Sequence, residues 1–265
     1  MFALLKIEWL KLKNYRTFWI LSSLYIVSVF GANYIVYRIQ QEIFREQQAK
    51  GMAEMIVGSI PYEFPTVWQM TSHVSSYLLF IPGLIMIISV TNEYSFKTHR
   101  QNIIDGWSRK QFISIKIMQA VLWAALSTFL VFLSSLIFGL QGKEGIDFSK
   151  AYFLGYSFIQ ALSYIMVALL FAILFRRGGL AIGVFFVYAL LLDELVALLL
   201  NRYVYDIGRY MPLESVDKLV TAPVFENLKR RIVAPPNYAL QFSFAIAYLI
   251  GYFVFITKKF EKDDL

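Results

Sequence analysis

The residues best placed to do chemistry within a long apolar stretch are Asp193 and Glu194, adjacent carboxylates in the run Gly179 to Leu200. At the middle of a bilayer a charged side chain costs about 2.5–3.5 kcal/mol on insertion scales, so such a pair invites a proton- or cation-coupled role. A helix starting at Gly179 rises about 1.5 Å per residue and carries the pair roughly 21 Å along, into the outer third of a membrane. There carboxylates reach water, and the expected role is interfacial solvation or pairing with Arg202; a substrate or ion path is the alternative. Other chemistries lack their residues. Gly142-Lys143 is followed by Glu144 and has no upstream glycine for a phosphate loop, and no G-x-G-x-x-G occurs. His73 and His99 fall on opposite expected sides of the membrane and neither sits in H-E-x-x-H, so both read as ordinary polar side chains. No metal and no cofactor is expected. Without cysteine the chain forms no disulfide, thiolate metal site, or prenyl or palmitoyl anchor.

The elements that must carry these residues are set by an excess of apolar sequence. Of 265 residues 58% are hydrophobic and 16% charged, with mean hydropathy +0.57, where a soluble domain carries about a quarter charged residues. The excess comes in runs at 17–37, 71–90, 112–140, 151–175, 179–200 and 238–257, each long enough to cross about 30 Å of hydrocarbon as a helix. The runs are apolar on every face and about twice the length of a tilted barrel strand, which excludes a β-barrel. The first follows Lys6, Lys11, Lys13 and Arg16 without a small-x-small cleavage pattern and reads as an uncleaved anchor. The expected fold class is therefore all-α: a polytopic membrane protein with about six transmembrane helices, organised as one domain over 1–265.

Orientation follows from basic residues. With the N-terminus in the cytoplasm, the inner segments 1–16, 91–111, 176–178 and 258–265 hold 13 Lys and Arg, and the outer segments 38–70, 141–150 and 201–237 hold 11 in a considerably longer stretch. The density is about twice as high inside, so both termini are expected in the cytoplasm. The net charge of +7 and pI near 9.4 are spread over these membrane-edge segments rather than gathered in a stripe. Anionic lipid headgroups account for them, and no nucleic-acid partner is expected. Phe2, Leu5, Trp9 and Leu12 recur at helical spacing and predict a short helix over 1–16 in the inner headgroup region, with Lys6 and Lys13 snorkelling beside Phe2.

The most informative stretch is 91–116, T-N-E-Y-S-F-K-T-H-R-Q-N-I-I-D-G-W-S-R-K-Q-F-I-S-I-K. It reads as helix, turn, helix. Thr91 or Asn92 is expected to cap a short helix with Glu93 in its first turn, and Asp105-Gly106 to turn the chain. Ser108 and Gln111 form a capping box that starts the next long helix. Elsewhere, Gly179 and Gly183 predict close helix packing, Pro82 a kink, and Val216, Leu219 and Val220 a short outer helix.

At 91–116 the chain resembles the permease subunits of ATP-binding-cassette transporters of the second export type. Their first cytoplasmic loop carries an acidic residue, an aromatic, a Thr and a basic residue, then Ser-Arg and a Lys near the start of the next helix. Here these are Glu93, Tyr94, Thr98, Arg100, Ser108, Arg109 and Lys116, with Asp105-Gly106-Trp107 in place of the usual Pro-x before Ser-Arg. The amphipathic start, six spans and basic C-terminal tail extend the likeness over the whole chain. The resemblance implies a coupling helix over about Glu93 to Ile104 that docks on a separate ATPase subunit. Glu93, Tyr94, Thr98, Arg100, Gln101 and Arg109 are then the coupling residues. It also implies a second permease copy or a related permease, and a place in the cytoplasmic or inner membrane. Members of the family move drugs, peptides, lipids or polysaccharides. The competing reading is an ion-coupled secondary carrier with Asp193 and Glu194 as its coupling site. An intramembrane enzyme lacks a catalytic constellation.

Lacking a phosphate cradle and its lysine, the isolated chain is expected neither to bind nor to hydrolyse ATP. Equilibrium binding of radiolabelled ATP to a preparation that mass spectrometry shows to contain this chain alone should give no saturable signal.

Overall fold

The computed structural model describes residues 2–45, 60–104, 106–142, 145–204, 207–224 and 237–262, and among these the ordered elements are helices without a strand. Helix α1 (Phe2–Lys13) lies before α2 (Arg16–Arg45); α3 (Val67–Ser76) and α4 (Phe80–Ser95) form a bent pair; α5 (Thr98–Ile104) is short. Then come α6 (Arg109–Gly139), α7 (Tyr152–Phe175) and α8 (Gly178–Val187), which continues through a π-helical turn at Tyr188–Leu192 into α9 (Asp193–Tyr203). A 3₁₀ turn at Gly208–Tyr210 and the single-turn α10 (Glu214–Asp217) precede α11 (Tyr238–Lys262). Five of these stretches are long and apolar enough to cross a membrane, and α3 with α4, bent by 46°, makes a sixth if the pair is one span. The chain is thus an all-α multi-pass membrane protein.

Local sequence explains several boundaries. Ser108 accepts from the Gln111 backbone N–H at 3.1 Å while the Gln111 side chain accepts from the Ser108 N–H at 2.9 Å, the expected capping box. Gly106, at φ +97°, supplies the turn before it; the Asp105 half of that turn lies outside the described residues. Helix α7 ends on Arg176 in the left-handed region, and Arg177 in extended conformation opens α8, a two-residue connection where a short inner segment is expected.

Other boundaries differ from expectation. The short helix does not begin at Thr91 or Asn92: the second span runs on to Ser95, with the Thr91 hydroxyl bonded back to Ile87 O at 2.8 Å inside a continuous helix. The break comes instead at Phe96-Lys97, where Lys97 takes φ +57°, and Glu93 therefore occupies the last turn of α4 rather than the first turn of α5. The kink in the second span falls at Tyr77–Leu79, upstream of Pro82. That is where a proline at 82 acts, as expected: it has no N–H for the carbonyl of Leu78, four residues back, and its ring crowds that carbonyl, which takes the Ile81 N–H at 3.0 Å instead. Among the described residues, an added Cβ at Gly179 or Gly183 finds open space within 4 Å, so neither glycine marks a close helix approach there.

Helix α7 is the centre of the bundle. Ala161, Ile165, Ala168, Leu169 and Ala172 are all buried in one core with Ile85, Met86, Ile87 and Val90 of α4 and Ile113, Ala120 and Ala124 of α6. Buried polar groups clasp the bent span to its neighbours. Asn33 donates to Ser75 Oγ at 3.1 Å and accepts from Tyr62 OH at 3.0 Å, and Thr71 and Ser135 share a 2.6 Å hydrogen bond. Both described ends of the chain gather at one end of the bundle, where Arg109 donates to Glu261 O and Phe112 stacks on Phe260. This is called the terminal end below, and the opposite one the far end.

The tightest approach is at Gly83, where a Cβ would lie 2.5 Å from Phe185 Cζ and 3.4 Å from the Ala168 Cβ. Gly83→Val should cost about 1–3 kcal/mol through overpacking. Thermal unfolding in detergent should show a lowered Tm for Gly83→Val and an unchanged one for Gly183→Val.

Candidate functional site

At the terminal end a cluster of four charged side chains joins elements far apart in sequence. Lys116, on α6 and with no exposed surface, donates to Glu8 Oε2 of α1 and to Glu93 Oε1 of α4, the latter at 2.7 Å. Lys11, one turn along α1, donates to Glu8 Oε1 at 2.8 Å and to Glu93 Oε1 at 3.1 Å. Two ammoniums and two carboxylates thus alternate in a closed arrangement without net charge. Glu8 and Glu93 are buried and Lys11 is part-exposed. Burial alone would raise the Glu8 carboxyl, but the charges of Lys116 and Lys11 and their hydrogen bonds outweigh it and hold Glu8 below the ordinary carboxylate range. The resulting stability is present above that range and is lost as pH falls through the lowered value.

This cluster fixes the face of α1. Leu5, Glu8, Lys11 and Leu12 turn toward the protein, while Trp9 is 50% exposed and packs edge-on against Phe18 and Trp19. The expected stripe through Leu5, Trp9 and Leu12 is therefore split, because ion pairing of Glu8 outweighs burial of Trp9; the Phe2 side chain lies outside the described residues.

From Glu93 the chain enters the segment 96–108. His99 donates from Nδ1 to Glu93 O, 2.9 Å away, and its ring lies 4.7 Å from that of Tyr94, over which Arg176 sits. His99 and Asn102 are the buried face of α5. Trp107 donates its backbone N–H to Asn102 O at 3.0 Å and packs against the main core, with Lys11 5.8 Å above its ring. The opposite face is exposed at Lys97, Arg100, Gln101 and Ile104, a spacing of three, four and seven residues, with Phe96 beside it. Phe96 and Ile104 are 73% and 77% exposed. A cationic surface with two apolar projections is thus carried on a short helix whose root is pinned by buried charge.

The six residues expected to act in coupling are divided between these surfaces. Arg100 and Gln101 lie on the exposed face. Glu93 and Tyr94 hold the segment from behind, Thr98 is half-buried with its hydroxyl 3.5 Å from Glu93 O, and Arg109 fastens the start of α6 to the end of α11. Sequence reasoning passed over Glu8, although it is the single acid before Glu42 in a stretch holding Lys6, Lys11 and Lys13, and such isolation was the available signal. Phe96, Lys97 and Ile104 were missed as a surface because the helix boundary was placed too early.

Asp193 and Glu194 part company at the far end. Asp193 is buried, accepting from Tyr188 OH at 3.0 Å and from the backbone N–H groups of Leu213 and Glu214 at 3.1 and 2.7 Å, so its carboxylate caps α10. Glu194 is exposed, and Arg202 lies over the ring of Tyr203, 5.8 Å away, rather than against Asp193. Among the described residues no group of three or more His, Asp or Glu side chains is arranged to hold a metal ion.

Residues 4–192 match a family model described as "ABC-2 family transporter protein", a match that spans everything from α1 to the π-helical turn. A comparison with curated proteins finds no match.

Removing Lys116 leaves two buried carboxylates facing one part-exposed ammonium. Lys116→Met should destabilise the protein by about 3–5 kcal/mol, and adding Glu8→Gln should recover part of that loss, because the second change removes a stranded charge. Denaturant or thermal unfolding of the two single variants and the double variant measures the coupling.

Proposed function

Because the chain belongs to the ABC-2 family of transporter proteins, we propose that it is the membrane-spanning permease subunit of an ATP-binding-cassette transporter, driven by ATP hydrolysed on a separate subunit. The observation that carries this reading is the segment 96–108, which offers an exposed docking face on a root that cannot swing independently of the bundle. Force applied to Phe96, Lys97, Arg100, Gln101 and Ile104 reaches α4 through Glu93, α1 through Glu8 and α6 through Lys116, because each of these carboxylates and the ammonium is buried in one ion cluster. A partner suited to this face is acidic around a shallow apolar recess, with Lys97 and Arg100 setting register and Phe96 and Ile104 supplying buried area.

In this reading the terminal end faces the cytoplasm, which agrees with the basic density of its segments. The exposed apolar faces of α2, α8, α9 and α11, for example Val27, Leu180, Leu198 and Ile250, lie in hydrocarbon and meet lipid or a second permease copy. The chain supplies the path and the lever. The Asp193 carboxylate accepts from the first N–H groups of α10, so in this reading it supports the far end rather than carrying a coupling ion.

The test is recovery of an ATPase subunit with the tagged chain from native membranes. Lys97→Glu with Arg100→Glu should lower that recovery at least about tenfold at unchanged permease abundance and Tm, since the reversed charges meet an acidic partner. Undiminished recovery with the reversed pair would refute docking through this face.

A further inference from the structure

At the far end the segment 208–221 forms a cap whose apolar residues Leu213, Val216, Leu219 and Val220 are buried in the same core as α4 and α7. The cap is hydrogen-bonded to four spans. Gln69 donates to Thr221 O at 2.9 Å, and His73 Nδ1 lies 2.8 Å from Val220 O. Asp193 receives the Leu213 and Glu214 N–H groups, and Tyr248 OH donates to Tyr210 O at 3.0 Å. These contacts use the cap's backbone. Asp217 differs, because it reaches α7 with its own carboxylate, accepting from Gln160 Nε2 at 2.8 Å and from Tyr164 OH at 2.9 Å. Both donors are neutral, and among the described residues no cation pairs with Asp217; Lys218, its neighbour, is paired with Glu214 at 2.7 Å. Gln160, 1% exposed, keeps its Oε1 buried without a hydrogen-bond partner.

That arrangement suits a carboxylic acid better than a carboxylate. An ionised Asp217 has only acceptors to offer, whereas the neutral acid keeps an acceptor for Gln160 Nε2 and gains an O–H, the kind of donor that Gln160 Oε1 lacks. We propose that Asp217 is a proton-operated latch, which when neutral seats the 208–221 cap on α7 and when ionised loosens it, opening the core at the far end.

The titratable and charged groups around the latch act in the same sense or are separately engaged. Glu214 of the cap and Asp193 of α9 bring negative charge close to Asp217. Tyr164 of α7, Tyr188 of the π-helical turn, Tyr248 and Tyr252 of α11 are phenols; Lys218 is held by Glu214; and His73 of α3 contacts the cap at Val220 O. Burial pushes the Asp217 carboxyl up to about 7, with Glu214 and Asp193 adding to the rise and the hydrogen bonds from Gln160 and Tyr164 offsetting part of it. With the docked value above that of a carboxyl in water, proton binding favours the docked cap. Docking therefore strengthens up to about tenfold per pH unit as pH falls from about 7 toward the ordinary carboxylate value, and levels off above 7.

Hydrogen–deuterium exchange of the full-length chain in lipid nanodiscs tests this, with rates of peptides covering 208–221 corrected for intrinsic exchange between pH 8 and 5.5. Wild-type protection should rise roughly tenfold or more between pH 7.5 and 5.5. Asp217→Asn, which imitates the neutral acid, should be protected at every pH, and His73→Gln should respond like the wild type. Tyr164→Phe removes a donor that favours the ionised form and should move the response to higher pH, a readout that stands if the Asn variant does not fold. A flat wild-type profile, a wild-type response in Asp217→Asn, loss of the response in His73→Gln or an unmoved response in Tyr164→Phe would each overturn the latch. None of these measurements requires an ATPase, so their failure leaves the permease reading intact, and failure of ATPase recovery leaves the latch intact.

Discussion

The Lys116 ammonium, buried between Glu8 and Glu93, is the interaction on which the rest of the terminal end depends. A charge withdrawn from water in this way is tolerated only when opposite charges are held fixed against it. Glu8 and Glu93 meet that condition by lying on separate helices, one lying before the first span and one ending the second. The cost of separating any member is therefore also the reason that α1, the end of α4 and the start of α6 hold one arrangement. Lys11 completes charge balance at the rim, where part-exposure lets it bridge both carboxylates. The segment 96–108 inherits its position from this cluster: His99 hangs from Glu93 O, and Trp107 lies under Lys11.

The two ends of the bundle use charge differently. At the terminal end opposite charges alternate and the balance is even, which gives a rigid root for a cationic, apolar-tipped surface. At the far end Asp193, Glu214 and Asp217 are gathered with phenols and amides, and Lys218 is paired with Glu214. Carboxylates there cap a helix and fasten a cap, in tasks that neutral hydrogen-bond partners perform. In the proposed reading a transport cycle needs one end that takes force as a unit and another that can open, and the two electrostatic designs suit those needs separately.

Much of the fold was legible because it rests on local signals. Apolar runs of membrane length, the Ser108–Gln111 capping box and Gly106 each declare themselves within a few residues. The start of α5 was not legible, since Thr91 can cap a helix or continue one, and a positive φ at Lys97 has no marker in the residue type. The kink was legible too, since Pro82 disturbs the helix at the carbonyl four residues back, within the break at Tyr77–Leu79. The ion cluster was hidden by sequence distance: Glu8 and Lys116 are 108 residues apart, and Glu8 alone reads as a solvated charge on an interfacial helix. Asp217 was hidden likewise, 57 residues from Gln160. The pairing of Asp193 with Arg202 failed because backbone N–H groups from the cap reach that carboxylate instead.

The central claim is that the docking segment and α1 move as one body with the bundle. Because the chain has no cysteine, spin labels can be placed at Gln101 and Leu10, both exposed, without removing a native thiol. Electron–electron distance measurements on the assembled complex, with and without a non-hydrolysable nucleotide, address the claim directly. The account predicts one narrow distance distribution that stays fixed when nucleotide binds, and a broadened one in Lys116→Met. A wild-type distance that shifts by several ångströms with nucleotide would contradict it, since the segment would then be moving independently of the helix to which its root is tied.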